Sequence, residues 1–386
     1  MNTKLRMGMV GGSPSSFIGG VHRMAAALDN EIEFVCGAFT ADPVLSKIAG
    51  ETYHLDCERV YGSFQEMFVQ EKMIPENKRM DFVTIVTPNH LHYPVAKLAL
   101  ENGFHVVCEK PMTYTTEEAK KLVELVESTG LVFALTHPYS AYPLVKHARF
   151  IVEEGMLGTI RKIVVEYPQG WLAQAIEKSG NRQALWRTDP GKSGKSGSIG
   201  DIGVHAQQLA EFIIGQKITE VCADLTTFVP GRALDDDANV LIHFNKGAKG
   251  ILYASQISVG DENNLSIRIY GEKGGIEWHQ QECNSLILNI IGQPMQIIRA
   301  GDKGNLCASA VKYTRLPSGH PEGLIEAFAN IYKSFTEAVH DYKIGIKTSS
   351  ADFATVQDGY HGMKFIDAVV ASSQMNEKWI HLSDYQ

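Results

Sequence analysis

Apolar positions along the first third of the chain follow two alternating patterns. Short apolar runs at residues 5–10, 33–38, 81–86 and 106–108 predict strands, each too short for a helix and closed by glycine or polar residues. Between them, residues 21–28 and 94–101 have helical character, Gly103 ending the second, and Thr115-Thr116-Glu117-Glu118 opens a further helix with a capping-box pattern. Ala119, Leu122, Val123 and Val126 share one face of that helix, and Gly130 stops it. With a fifth strand at 131–135, strand and helix alternate from residue 5 to about 135. This is the pattern of a doubly wound parallel sheet.

After Thr136-His137-Pro138-Tyr139 the pattern changes. A helix is expected at 144–154, ended by Gly155, and then strands dominate at 160–167, 221–228, 239–244, 250–257 and 265–270. Leu265, Ile267 and Ile269 alternate with polar or larger neighbours, so one face of that strand is covered and the other is wetter. The expected fold is therefore α/β, a parallel doubly wound domain at 1–135 followed by a second α/β domain at 136–386 with a largely antiparallel, open sheet. Its outer face is either solvated or buried against a partner subunit. The Gly/Ser/Lys segment 191–197 reads first as a flexible loop and second as a lid, and a helix is expected at 324–342.

A chain of 386 residues suits two domains, and 44% hydrophobic with 21% charged residues is ordinary soluble-protein composition. Lys and Arg number 36 against 44 Asp and Glu, with no basic block, which argues against a nucleic-acid partner. No apolar run approaches the ~20 residues of a membrane span, and Met-Asn-Thr-Lys-Leu-Arg leads straight into a strand without signal-peptide character. The six cysteines include no Cys-x-x-Cys, so neither a zinc site nor a disulfide framework is expected. Cytoplasm is the default compartment.

Three places carry candidate chemistry. The first is the turn Gly11-Gly12-Ser13-Pro14-Ser15-Ser16-Phe17-Ile18-Gly19-Gly20, lying between a strand and a helix as a dinucleotide fingerprint requires. Ser13 stands where that fingerprint has its second glycine, and the turn is wider than usual. After the second strand, Thr40 and Asp42 are the candidates for the adenosine ribose; Asp42 could equally cap the next helix, and the absence of a competing Arg leans toward NAD over NADP. The second place is the pair of strand ends Thr87-Pro88-Asn89-His90-Leu91-His92 and Glu109-Lys110-Pro111. In open α/β sheets ligands lie beyond the carboxyl ends of the strands, and Pro111 restricts the backbone of Lys110 and aims its side chain. The third is Gly200-Asp201-Ile202-Gly203-Val204-His205, where a helix start puts Asp201, His205 and Gln208 on a flank beside an apolar face. Asp201 near the helix N-terminus is favoured as an anion, one turn from a His that it could stabilise.

Together these residues resemble the Gfo/Idh/MocA oxidoreductases, the family of glucose-fructose oxidoreductase and inositol dehydrogenase. The resemblance rests on the glycine turn with His22, on Thr87-Pro88-Asn89, Glu109-Lys110-Pro111, Glu154-Gly155-Met156-Leu157-Gly158, Trp186-Arg187 and Asp201-x-Gly203-x-His205. It implies an N-terminal Rossmann domain, a C-terminal substrate-binding and oligomerisation domain, NAD or NADP as cofactor, and a homo-oligomer, dimer or tetramer. The implied reaction is hydride transfer from a ring carbinol of a sugar, cyclitol or sugar derivative, with no metal. Lys110, Asp201 and His205 are the implied catalytic residues, Lys110 on the reacting hydroxyl, His205 as base and Asp201 binding substrate or supporting the histidine. Cofactor contacts are expected from Gly11, Gly12, Ser13, Phe17, Ile18, Thr40, Asp42, Thr87, Pro88, Asn89, His92, Glu109 and Lys110. Substrate contacts are expected from Lys110, His137, Tyr139, Trp186, Arg187, Asp201 and His205. For His22, His92 and His320 a structural or exposed place is an equal expectation. Two other activities fit the same family: a redox-neutral glycoside hydrolase that keeps its NAD, and a non-catalytic sugar or redox sensor. A nucleotide-linked sugar, its phosphates near Lys192 and Lys195, is a further candidate substrate.

Overall fold

The expected alternation over residues 5–135 folds into a five-stranded parallel sheet in the order β2-β1-β3-β4-β5. Its strands are β1 (Leu5–Gly11), β2 (Ile32–Ala38), β3 (Phe82–Val86), β4 (His105–Cys108) and β5 (Phe133–Leu135). β3 and β4 are buried at every position, as a sheet covered on both faces requires. The connecting helices are α1 (Phe17–Leu28), α2 (Pro43–Thr52), α3 (Phe64–Met73), α4 (His92–Glu101) and α5 (Thr116–Thr129), the last with its capping box formed between Thr115 and Glu118. A lone parallel bridge between Gly37 and Val60 extends the sheet beyond β2. In the order 3-2-1-4-5-6 a third strand holds that outer position.

The computed structural model describes residues 4–346, 352–376 and 378–385. They divide into two units, Met1–Pro138 with Leu324–Tyr360, and Tyr139–Gly323 with His361–Gln386. A chain cut once near residue 135 does not anticipate the return of 324–360 to the first unit.

The second unit is built on nine strands: β6 (Ile160–Pro168), β7 (Ile218–Thr226), β8 (Asp237–Phe244), β9 (Lys249–Ser255), β10 (Ser266–Gly271), β11 (Gly274–His279), β12 (Ser285–Ile290), β13 (Gln296–Arg299) and β14 (Ile380–His381). Their order is β13-β12-β11-β10-β6-β9-β8-β7-β14, antiparallel throughout except for the parallel pair β6/β9. The sequence pattern missed β11 to β14: Gly274 and Gly275 open the first, and the last two are short. Helices α6 (Pro143–Glu153), α7 (Arg182–Arg187), α8 (Pro190–Ser193), α9 (Val204–Ile214) and α10 (Ala308–Lys312) complete the unit. α6 and α9 pack on one another and on the sheet. On the open face, cross-strand pairing aligns Leu241, Ile251, Val164, Arg268, Glu277, Ile287 and Ile297 in one row.

The returning helix α11 (Leu324–Lys343) belongs to the first unit and packs on α1. Phe328, Ile331, Tyr332, Phe335 and Val339 recur at helical spacing and are buried. α12 (Val356–Gln374) then carries the chain from the first unit into the second. No helix among the described residues is long and apolar enough to cross a membrane.

Candidate active site

In the first unit, β1 runs into a turn whose tightness demands glycine. Gly11 and Gly12 have φ +83° and +74°, a backbone in which a side chain is strained. A Cβ on Gly19 would lie 2.5 Å from the Gly12 Cα, so α1 starts in direct backbone contact with the turn. Ser13 is not among the positive-φ residues, and serine is accommodated there without strain. α1 begins at Phe17, earlier than the expected residue 21, because the Ser16 hydroxyl caps it at the Gly19 N–H and the Ser16 N–H closes a turn onto the Ser13 carbonyl at 2.7 Å. Phe17 is exposed and Ile18 half-buried beside it. Tyr53 Oη and Arg23 Nη1 donate to the Gly12 carbonyl at 2.7 and 3.0 Å, fixing the turn from outside.

Beyond β2, Asp42 caps α2, accepting the Val44 and Leu45 N–H groups at 2.9 and 3.3 Å, while Thr40 Oγ1 donates to the Asp42 carbonyl. At the end of β3, Thr87 adjoins the glycine turn: a Cβ on Gly11 would meet its Cγ2 at 3.2 Å. Thr87 Oγ1 is buried and makes no hydrogen bond among the described residues. A glycine cradle with an orphaned buried hydroxyl at its edge fits the phosphates and ribose of a dinucleotide. Pro88 is half-buried and Asn89 buried in the short turn that follows.

Two expected cofactor contacts have other work. His92 is fully buried, with Nδ1 2.7 Å from the Pro111 carbonyl and Nε2 2.9 Å from the Thr87 carbonyl. Both ring nitrogens join the two strand ends, and none is left for a ligand. Glu109 is likewise buried: Oε1 accepts from Thr136 Oγ1 at 2.5 Å and lies 3.0 Å from His22 Nε2. Burial alone would raise the Glu109 carboxyl, but its contacts with His22, Lys110 and Thr136 hold it below the ordinary carboxylate range. Lys110, half-buried, follows directly from this anchored carboxylate at the end of β4. His137 is buried in the same unit, 3% exposed.

In the second unit, the segment expected to be a flexible loop or lid is pinned. Asp235 accepts the Gly197 N–H, the Ser198 hydroxyl and the Ile199 N–H at 2.8, 2.6 and 3.2 Å, and Ser193, Ser196 and Ser198 are buried. Lys195 pairs with Asp367 at 2.8 Å and Lys192 with Asp189 at 3.3 Å, each lysine half-exposed. The pinned segment leads into a π-helical turn, Ile199–Gly203, and then α9. Such turns widen the helix and frequently mark functional sites. Every residue of α9 except Phe212 is buried, so the helix has no wet flank of the kind its sequence suggested; the sheet and α6 cover it from two sides.

Asp201 sits in the π turn. Its Oδ2 accepts from Arg187 Nε at 3.0 Å and from Gln256 Nε2 at 2.8 Å. The Arg187 guanidinium stacks over Trp186 and Trp171 at 4.3 and 5.6 Å, an arrangement that fixes its direction. His205, one turn on and 7% exposed, meets the Tyr139 ring edge-on at 5.0 Å and the Tyr167 ring at 6.3 Å. The Tyr139 and Tyr167 hydroxyls are hydrogen-bonded to each other, and Tyr167 donates to Asn263 Oδ1 at 2.8 Å. Burial first, then Tyr139 and Asp201, push the Tyr167 phenol well up, so it keeps its proton. Gln208 is buried one turn beyond His205, and its Oε1 accepts no hydrogen bond among the described residues. Imidazole, carboxylate, guanidinium, phenol and carboxamide thus share one face of this unit, a donor and acceptor set suited to hydroxyl groups.

Sequence reasoning missed Tyr167, Gln169, Gln256 and Asn263. The first three lie at the carboxyl ends of β6 and β9, the only parallel neighbours of this sheet among the described residues. Polar residues at those ends were the signal that could have found them.

Residues 5–137 match the oxidoreductase family with an NAD-binding Rossmann fold, and residues 145–277 match the GFO/IDH/MocA C-terminal domain. The chain is 33% identical to the oxidoreductase YfiI of Bacillus subtilis, over 97% of this chain and 96% of that one. It is 27% identical to the levoglucosan dehydrogenase of Pseudarthrobacter phenanthrenivorans, over 97% of each. Among solved structures, an inositol dehydrogenase homolog from Azotobacter vinelandii in complex with NAD+ superposes with a TM-score of 0.94 at 32% identity, over 99% of this chain and 98% of that one. Matched in both parts by the family's domains and over nearly its whole length by these relatives, the chain belongs to the Gfo/Idh/MocA family of oxidoreductases.

Proposed function

We propose that the chain is an NAD-dependent dehydrogenase that oxidises a ring carbinol of a sugar or cyclitol. The observation that carries this reading is the face of the second unit on which a buried His205, ringed by Tyr139 and Tyr167, lies one helical turn from an Asp201 clamped by Arg187 and Gln256. Relatives that act on levoglucosan or are named for inositol agree with a hydroxylated ring as substrate.

A secondary alcohol is a very weak acid and must give up its proton as the hydride leaves. A positioned imidazole is suited to take it, the role proposed for His205. Lys110 is proposed to hydrogen-bond the reacting hydroxyl and to stabilise its developing negative charge with its ammonium. Asp201, its direction set by Arg187 and Gln256, accepts hydrogen bonds from neighbouring ring hydroxyls. Gly11, Gly12 and Thr87 hold the dinucleotide, which when bound supplies the hydride acceptor. NAD is favoured over NADP because residues 39–42, Phe-Thr-Ala-Asp, carry a carboxylate and no cation for a 2′-phosphate.

The same reading extends to assembly. A second copy of the chain covers the open sheet face, where Leu241, Ile251 and Ile297 are 47%, 38% and 55% exposed in one row.

The test is absorbance at the reduced-nicotinamide band with NAD or NADP and a panel of inositols, aldoses and simple glycosides. Reduction with one cofactor and one ring type is the expected result. Silence with every pair, with dinucleotide released on denaturation, replaces this reading by the redox-neutral glycoside-cleaving one; silence with no dinucleotide replaces it by a sensor.

A further inference from the structure

The second unit also contains a cavity of about 610 Å³, within the ~300–1,000 Å³ of small-molecule sites, whose walls include Glu262, Asn263, Gln280, Gln281, Asn284 and Glu322. Four of these are carboxamides, and no Lys, Arg or His lines the space. A carboxamide offers a donor and an acceptor side by side, as a hydroxyl does, whereas a phosphate or carboxylate would find no cation here. Two of the carboxamides build the wall. Asn284 clasps Glu322, donating to its carbonyl at 2.9 Å and accepting its N–H at 3.2 Å. Asn263 accepts from Tyr167 Oη and Gln169 Nε2 at 2.8 and 2.7 Å. The Glu322 carboxylate is itself engaged, with Oε1 accepting the Arg315 and Leu316 N–H groups at 2.7 and 2.8 Å. The remaining side chains are open to a ligand. Gln280 uses only Oε1, 3.4 Å from Asn263 Nδ2, and the Gln281 and Glu262 side chains make no hydrogen bond among the described residues.

The cavity shares one wall, Asn263, with the surroundings of His205. Asn263 Nδ2 donates to Tyr139 Oη at 3.3 Å, and the Tyr139 ring stands edge-on to the His205 imidazole at 5.0 Å. Two side chains therefore separate the cavity from the proposed base.

We propose that this cavity is a subsite for a second hydroxylated ring, so that the substrate is a neutral glycoside whose reacting ring lies at His205 and whose other ring enters the cavity. The inference rests on the dehydrogenase reading for the first ring only. Its test is calorimetric titration of the full-length protein, saturated with NAD+, with parent rings and their glycosides: myo-inositol against galactinol, and glucose against maltose and cellobiose. At least one glycoside should bind tenfold or more tightly than its parent. Gln280→Ala and Gln281→Ala should together remove that gain while leaving the parent's affinity unchanged, which also reports that the variant is folded. Glycosides no tighter than their parents in every pair overturn the subsite, as does a gain that survives both substitutions. Absorbance in the same mixtures separates the two readings. Tight glycoside binding without cofactor reduction removes the dehydrogenase and keeps the subsite; reduction with a parent ring and no gain from its glycoside does the reverse.

Discussion

His22 Nε2 lies 3.0 Å from Glu109 Oε1, and the other ring nitrogen, Nδ1, lies 2.7 Å from Tyr332 Oη. Tyr332 Oη also meets Thr84 Oγ1 at 3.0 Å, so one buried cluster joins α1, β3, the end of β4 and α11. Lys110 follows Glu109 in the chain, and the cluster sets where its backbone stands. Removing one partner strands buried polar groups, which costs about 1–3 kcal/mol. Tyr332→Phe should therefore lower unfolding free energy by about that amount in a denaturant titration; a loss under ~0.5 kcal/mol would mean that the phenol holds nothing together.

Lys110→Met and His205→Ala test the proposed chemistry directly. General acid–base groups are worth ~10²–10⁴ in rate, so turnover should fall by at least ~10² in each variant. Dinucleotide affinity, followed by fluorescence, should stay within a few-fold of the parent protein. Near-normal turnover in either variant sinks its assignment.

His105 sets a pH dependence of stability. Burial, helped by the charge of Lys343 and opposed by Asp81, lowers its pKa to about 4, and its unprotonated Nδ1 accepts the Val132 N–H at 2.9 Å. An unfolded histidine takes up a proton near pH 6.5. Between pH 6.5 and about 4 the unfolded state thus binds more protons, and stability is whole above that window and falls through it by about 3 kcal/mol. His105→Gln should flatten the fall between pH 7 and 4.5 in chemical denaturation. An unchanged slope would assign acid sensitivity elsewhere.

Asp42→Asn separates capping from cofactor choice. Asn caps a helix as well as Asp does, so α2 and the melting temperature should be kept. Loss of the charge should raise kcat/KM for NADP relative to NAD by roughly tenfold, ~1.4 kcal/mol. A ratio that does not move would take Asp42 out of the ribose site.

Ile251 stands between Leu241 and Val164 in the row on the open sheet face and is 38% exposed. Light scattering should give the wild type at least twice the mass of one chain and Ile251→Lys the mass of one, since burying an unpaired ammonium in an interface is strongly unfavourable. A wild-type monomer would leave that face to solvent.

What the sequence determined by itself is what depends on near neighbours in the chain. Apolar runs marked β1 to β5, Thr115 and Glu118 marked the start of α5, and glycines marked the turn where a side chain would not fit. The strand-end position of Lys110 follows from the same local pattern. Only the tertiary structure decided the rest. α11 returns to pack on α1, 300 residues away in the chain, and delivers Tyr332 to His22, 310 positions apart. Asp235 pins a glycine- and serine-rich segment 38 positions upstream that local composition marked as flexible. The parallel pairing of β6 and β9 brings Gln169 and Gln256 to one end of the sheet, Gln256 reaching Asp201 and Gln169 reaching Asn263. Periodicity reports which face of an element is buried. It is silent on which distant element buries it, and a polar group's partners, hence its role, follow from that choice.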